Sequence, residues 1–275
     1  MDISTGICYN VWELKSVSEA ETIIMRLEVK NVGFIYQTPE TEKEALKDLS
    51  FQIEDGEFVS LVGPSGCGKS TVLSIIAGLQ KPTSGEVLLS GQQINGPSRD
   101  VGYMPQKDQL FGWRNIWSNV TLGLEIQKKD ASYYEKAEML MSKYGLHDVK
   151  QMAPNQLSGG MRQRCALIRT LVTDPDFLLL DEPFSALDYQ TRVSVSIDTR
   201  SIIKNEHKTA LLITHDISES LMLSDRIIVM TKSPGKVKSI HDMGSLKNIP
   251  PLERMEQEDY NRLLKGIWKE LDIHE

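Results

Sequence analysis

The chain reads as an α/β protein with a mainly parallel sheet core, and three observations predict it. Two apolar runs, "FLLLD" (177–181) and "TALLITH" (209–215), show no polar alternation, as expected of strands buried on both faces. Short β-rich runs alternate with stretches of helical spacing, the order that builds a parallel sheet flanked by helices. Gly63, Asp181 and His215 then fall at the carboxyl ends of their strands, where such sheets place ligands.

The elements follow in order. Residues 1–24 are mixed in character, carry no clear period, and read as an extension. "RLEVKNVGFIY" from residue 26 opens the β-rich part, and "EFVSLVG" (57–63) is an apolar strand that runs into a glycine-rich loop. "KSTVLSIIAGL" (69–79) has helical spacing, with Gly78 near its end. "GEVLLSG" (85–91) and "DVGYMPQ" (100–106) read as strands, and residues 131–145 as a helix stopped by Gly145. After "IIVMTKSPGKV" (227–237) the composition shifts, and "NIPP" (248–251) breaks the chain. Residues 252–271 place Leu263, Leu264, Ile267, Trp268 and Leu271 on one helical face, so the tail is expected to be an amphipathic helix docked on the domain. The predicted organisation is an extension (1–24), one domain (25–245) and a helical tail (246–275).

Bulk properties exclude several classes. With 275 residues, 40% hydrophobic and 25% charged, the chain is long enough for one large globular domain with an appendage. A net charge of −7 speaks against a generally basic surface for nucleic acid. Cys8, Cys67 and Cys165 are odd in number and form no CxxC spacing, so neither a disulfide framework nor a zinc site is indicated, and a reducing, cytosolic setting fits best. The start lacks the pattern of a signal peptide, and no apolar run approaches the roughly 20 residues needed to span a bilayer. The chain is not expected to form a channel. Any membrane connection must come through a partner.

The chemistry begins at "GPSGCGKST" (63–71), which fits G-x-x-x-x-G-K-[ST] between a strand and a helix. The loop Gly63, Pro64, Ser65, Gly66, Cys67 and Gly68 is expected to curl around phosphate oxygens, with the backbone N–H groups of its non-proline residues and of the helix start as donors, in a field that favours anions. Lys69 would reach the β- and γ-phosphates, the Ser70 hydroxyl would bind Mg²⁺, and Thr71 closes the motif. This motif predicts binding of a nucleoside triphosphate. Cys67 reads as a small residue that fits the loop, although a thiol beside a helix N-terminus can be reactive.

Asp181 and Glu182 follow the "FLLL" strand; the first carboxylate can hold Mg²⁺ and the second can polarise an attacking water. His215, at the next strand end, is placed to contact the γ-phosphate, and Gln106 has an amide able to reach Mg²⁺ or the water. "LSGGMRQR" (157–164) is the oddest stretch. It is a serine N-cap followed by two glycines, each costing about 1 kcal/mol in a helix relative to alanine.

"GPSGCGKST", "LSGGM", "FLLLDEP", "SALD" and "LLITHD", in this order, resemble the ATP-binding subunits of ABC transporters over roughly residues 26–240. The resemblance implies a P-loop NTPase cassette with an antiparallel β subdomain and a helical subdomain bearing the signature motif. It implies Glu182 as catalytic base, Gln106 as the Q-loop glutamine, His215 as the switch histidine, and Tyr36 as the aromatic stacked on adenine. It also implies that Ser158, Gly159 and Gly160, and Asp188 of the loop Ser185–Asp188, act in trans on the nucleotide of a second copy. Two copies related by a twofold axis would each close the other's site, with ATP and Mg²⁺ between them. Met161 stands where the family usually has glutamine.

"LFGWRNIWSNVTLGLE", "DEPFSALDYQTR" and "PPLERMEQEDYNRLL" are similar to the importer group for nitrate, sulfonates, taurine and bicarbonate, related in turn to vitamin-precursor importers. That likeness implies a separate integral-membrane permease, docked near Gln106 and Trp113–Asn119, an indirect solute-binding partner, and a peripheral position on the cytoplasmic face of the membrane. The alternative is a non-transport ABC ATPase of DNA repair or the ribosome, but those carry coiled-coil insertions or tandem cassettes, which this chain lacks. A P-loop kinase or switch GTPase leaves "LSGGM" unexplained, and an exporter subunit normally has fused membrane segments.

Overall fold

The computed structural model describes residues 25–37 and 41–271; the extension 1–24 with Cys8, and residues 272–275, lie outside the described residues. The long strands β1 (Met25–Gln37) and β2 (Glu42–Glu54) form an antiparallel pair that sets Tyr36 opposite Lys43. β2 has no counterpart among the strands expected from the sequence, although Leu49, Phe51 and Ile53 alternate with polar residues and are all buried. β3 (Phe58–Val62) belongs to another sheet, whereas β4 (Ser84–Leu89) and β5 (Gln92–Gln93) complete the antiparallel one in the order β2-β1-β4-β5.

The second sheet adds β6 (Val101–Met104), β7 (Phe177–Asp181), β8 (Thr209–Ile213), β9 (Arg226–Met230) and β10 (Val237–Asp242) to β3. Its order is β10-β9-β3-β8-β7-β6, parallel throughout except for β10 on β9. Every residue of β3 and β8 is buried, so both faces must be covered, and their unbroken apolar runs meet that demand. Leu61 pairs with Ile213 and Ile213 with Asp181. That register brings the ends of β3, β7 and β8 to one edge of the sheet.

Helix α1 (Lys69–Ile76) leaves that edge and stops sooner than its spacing predicts: Ala77 caps it and Gly78 turns at φ 73°. Four helices, α2 (Ile116–Val120), α3 (Leu122–Gln127), α4 (Ala131–Lys143) and α5 (Gly159–Leu171), carry the helical layer. They share one apolar core with α6 (Tyr189–Asn205) and one face of the sheet. A second core lies between the sheet, α1 and the antiparallel strands.

The third core joins α7 (Ile217–Leu223) to the tail, which is α8 (Pro251–Arg254) and α9 (Glu258–Glu270) rather than one continuous helix. Arg254, the last residue of α8, anchors the tail on α7. Its guanidinium is fully buried and donates to the carbonyls of Ile249, Leu221, Ser224 and Lys247. Leu221 and Ser224 end α7, where carbonyls lack partners and a cation is favoured. Burial pulls Arg254 down to about 10. Ile267, Leu263, Leu264, Trp268 and Leu271 then pack against α7 on the face expected from the sequence.

Candidate functional site

The P-loop takes its shape from the residues around it. Gly66 and Gly68 have φ of 75° and 102°, a region that strains other residues, and a Cβ on Gly68 would lie 2.6 Å from Leu46 Cδ2. Gly68 is the N-cap of α1 and supplies no side-chain bond; no acidic residue occupies the first turn. The first N–H groups of α1 therefore face an anion site without a competing cap. Cys67 is fully buried, with Lys69 Nζ 3.9 Å from its Sγ, so only its backbone can serve a ligand. Lys69 is nearly buried too, and its Nζ donates to the carbonyls of Gly63 (2.7 Å) and Pro64 (3.2 Å).

A cleft of about 520 Å³ opens over this loop, within the usual size of a ligand site. The loop residues Ser65, Gly66, Gly68, Lys69, Ser70 and Thr71 form its floor, and Glu182 and His215 form one wall. Tyr36, Lys43 and Ala45 reach in from the antiparallel sheet. The Tyr36 hydroxyl lies 3.0 Å from Thr71 Oγ1, and its ring meets Phe34 edge-on at 4.9 Å, so a half-exposed aromatic is held at the cleft mouth.

The carboxylates have distinct surroundings. Burial raises Asp181 above the ordinary carboxylate range and the charge of Glu182 adds to this, against the pull of the Tyr103 hydroxyl and Lys69. Tyr103 donates to Asp181 Oδ2 at 3.2 Å and is itself pushed up to about 12, first by burial and then by that carboxylate. Glu182 sits at φ 43°, a left-handed conformation that costs a non-glycine residue of order 1 kcal/mol. Its N–H donates to the Ile213 carbonyl at 2.8 Å, which ties the β7 end to β8. Its Oε2 is 3.3 Å from Gln106 Nε2 and 3.1 Å from His215 Nδ1. Gln106 also donates to Ser185 Oγ (3.2 Å), which in turn donates to the Glu182 carbonyl (2.9 Å).

One chain thus gathers the loop, Tyr36, Asp181, Glu182, Gln106 and His215. It does not bring Ser158, Gly159, Gly160 or Asp188 into the cleft. Ser158 caps α5, its Oγ accepting from Met161 N at 3.3 Å, and Asp188 caps α6, its Oδ1 accepting from Thr191 N at 3.1 Å. The glycines have a packing reason. A Cβ on Gly159 would lie 2.9 Å from Leu187 Cδ2, and one on Gly160 would lie 2.7 Å from Val195 Cγ2. The α5 start is therefore pressed onto α6 and the loop before it. Met161 packs partly buried on the helical core.

Sequence reasoning missed Tyr103 and Gln163. Gln163, five residues after Ser158, is buried and donates to the Pro183 carbonyl, tying α5 to the turn after Glu182. Tyr103 stands two residues before Pro105 on β6, and only the pairing of β6 with β7 brings it beside Asp181.

The donor set suits the groups its motifs imply. Uncapped amides and Lys69 suit a polyphosphate, and the Ser70 hydroxyl, Asp181 carboxylate and Gln106 amide are hard oxygen donors of the kind Mg²⁺ takes. Among the described residues no cluster of three His, Cys, Asp or Glu side chains could hold a metal.

The family described as ABC transporter matches residues 46–185. The chain belongs to that family. An uncharacterized ABC transporter ATP-binding protein of Bacillus subtilis, YtlC, is 43% identical over 90% of this chain and 95% of its own. The taurine import ATP-binding protein TauB of Pelagibacter ubique is 41% identical over 78% of this chain and 82% of its own. Among solved structures, the dimeric post-hydrolysis ATP-binding cassette MJ0796 with ADP and Pi superposes with a TM-score of 0.66. It is 32% identical and covers 79% of this chain and 98% of its own. The chain is accordingly an ABC-type P-loop ATPase, built on the α/β cassette expected from its motifs.

Among the described residues no helix is long and apolar enough to cross a membrane.

Proposed function

We propose that this ABC ATPase is the energy-coupling subunit of an importer. It dimerises on ATP and drives uptake of a small solute of the sulfonate, taurine, nitrate, bicarbonate or vitamin-precursor kind through a separate permease. The observation that carries the reading is the meeting of Lys69, Glu182 and His215 in one P-loop cleft, with Gln106 on the Glu182 carboxylate and Asp181 close enough to feel the charges of Glu182 and Lys69. Likeness to a taurine import protein supports the solute class, and likeness to a dimeric cassette supports the second copy.

In this reading the loop amides and Lys69 bind the phosphates, and Tyr36 offers its ring to the base. Ser70, Asp181 and Gln106 would hold Mg²⁺, which supplies charge neutralisation on the phosphates when bound. Glu182 accepts the proton of the attacking water, and His215 contacts the γ-phosphate from the next strand end. Ser158, Gly159 and Gly160, capping an α5 whose first turn holds no acidic residue, serve the γ-phosphate of the second copy, with Asp188 beside them.

The permease docks near Gln106, where Trp113 is 80% exposed and stacks against Phe111 at 4.7 Å. Trp117 is partly buried and packs against the helical core instead. An exposed tryptophan backed by a half-buried phenylalanine is suited to receive a helix. The chain is then held peripherally on the cytoplasmic face of the membrane, with a solute-binding protein acting through the permease.

The test is ATP turnover and mass measured together. The full chain should release phosphate with Mg²⁺ and shift from monomer to dimer in light scattering when ATP is added. Reconstitution with a permease from a neighbouring reading frame should make turnover respond to taurine or a related anion in the presence of its binding protein. Isolation of the chain on DNA or ribosomes, with no permease and no response to solute, would overturn the importer reading.

A further inference from the structure

Arg192 connects two loops that no motif joins. It lies in the first turn of α6, four residues after the N-cap Asp188. Its Nη2 donates to the Leu187 carbonyl at 3.0 Å, in the loop that precedes α6. Its Nη1 faces Asp216 Oδ2 at 3.8 Å. The Nε is buried and has no hydrogen-bond partner among the described residues, so the guanidinium is placed by one hydrogen bond to the Leu187 carbonyl and one ion pair to Asp216.

Asp216 follows His215 directly. Its N–H donates to Thr214 Oγ1 at 3.0 Å, and its Oδ1 accepts from Glu219 N at 3.1 Å, which caps α7. Only Thr214, His215 and Asp216 separate β8 from α7, so a displacement of Asp216 must carry His215 with it. His215 in turn lies 3.1 Å from Glu182. We propose that Arg192 is a positioning residue, a rigid strut that couples the Ser185–Asp188 loop to the placement of His215. The proposal rests on the functional reading above, in which that loop faces the second copy and His215 faces the phosphate. It adds a route by which docking of the second copy is felt at the hydrolytic site.

Magnitudes favour positioning over stability. The Arg192–Asp216 pair is 3.8 Å apart with both side chains about a third exposed, and such pairs contribute roughly 0–1 kcal/mol. Misplacing a reacting group by about 1 Å, by contrast, can cost on the order of 100-fold in rate. A planar guanidinium can hold two acceptors in fixed relation, whereas a lysine ammonium is a single flexible point.

The experiment uses the full chain and four variants: Arg192→Ala, Arg192→Lys, Asp216→Asn and the double Arg192→Ala/Asp216→Asn. Asparagine keeps the α7 cap while removing the charge. Read out are kcat and KM for ATP, affinity for a fluorescent ATP analogue, Tm, and ATP-trapped dimer in a Glu182→Gln background. Arg192→Ala should lower kcat about 10- to 100-fold with nucleotide affinity, Tm and the trapped dimer nearly unchanged. Arg192→Lys should recover part of the rate, Asp216→Asn should lose rate, and the double variant should be no slower than Arg192→Ala.

Unchanged kcat in Arg192→Ala overturns the proposal, as do additive losses or a rate loss matched by loss of affinity and Tm. If Arg192→Ala fails to fold, the same criteria apply to Arg192→Lys and Asp216→Asn. Normal turnover in Glu182→Gln alone would instead overturn the underlying reading of the site.

Discussion

Glu182 Oε2 lies 3.1 Å from His215 Nδ1, the two side chains meeting from the ends of adjacent strands β7 and β8. Glu182 is the more enclosed partner, and Gln106 donates to the same oxygen. A carboxylate so held, beside a phosphate loop, is placed to take a proton from water. Glu182→Gln keeps the size and loses the base, so turnover should fall at least about 100-fold while ATP binding persists. Phosphate release and gel filtration with ATP check this: the variant should elute as a stable dimer. Wild-type turnover would remove Glu182 from the chemistry.

Lys69 donates to two loop carbonyls and is 9% exposed, so its charge is directed into the loop by the protein itself. A phosphate arriving there gains a charge-assisted hydrogen bond, worth about 1.5–3 kcal/mol. Lys69→Ala should therefore raise the Kd for ATP about 10- to 100-fold. Titration with a fluorescent ATP analogue measures it. An unchanged Kd would place the phosphates elsewhere.

The parts legible in the sequence are those decided within a few residues. The apolar runs at 57–63, 177–181 and 209–215 demand burial on both faces, and the glycines and Lys69 between strand and helix demand an anion. Strand β2 escaped because charged residues at 42–48 mask an alternation that starts only at Leu49. Gln163 on Pro183, Tyr103 on Asp181 and Arg192 between two loops are decided by register and helix packing across many residues, which periodicity does not encode. The anchoring of the tail is of the same kind, since Arg254 finds its acceptors on α7 and in the turn before α8.

Gly160 tests why "LSGGM" has a second glycine. A Cβ there would sit 2.7 Å from Val195 Cγ2 and 3.3 Å from Thr191 Cγ2, both on α6. Alanine has the better helix propensity by about 1 kcal/mol, yet overpacking at such a contact costs roughly 1–3 kcal/mol. Gly160→Ala should lower Tm by a few degrees or leave it level, and turnover should fall because α5 is pushed off α6. A rise in Tm by the full propensity gain, with normal turnover, would mean that α6 yields freely and the contact is unimportant.

Glu219 predicts a pH dependence of stability with a definite sign. It lies in the first turn of α7, only 6% exposed, and burial pushes its carboxyl up to about 7 from an ordinary 4.5. The charge of Asp216 adds to the rise; the Thr214 hydroxyl, Arg192 and His215 oppose it. The folded state thus keeps the proton over a range in which the unfolded chain has released it, so stability falls as pH rises from about 4.5 to about 7. Above that window the buried charge costs about 3 kcal/mol, and below it the carboxyl contributes nothing either way. Glu219→Gln has nearly the same shape and cannot ionise. It should match the wild type near pH 4.5 and melt several degrees higher near pH 8. Melting curves across that range decide it: parallel profiles for the two proteins would show that Glu219 is ionised without penalty, and a lower Tm for the variant at pH 8 would show that its charge stabilises α7.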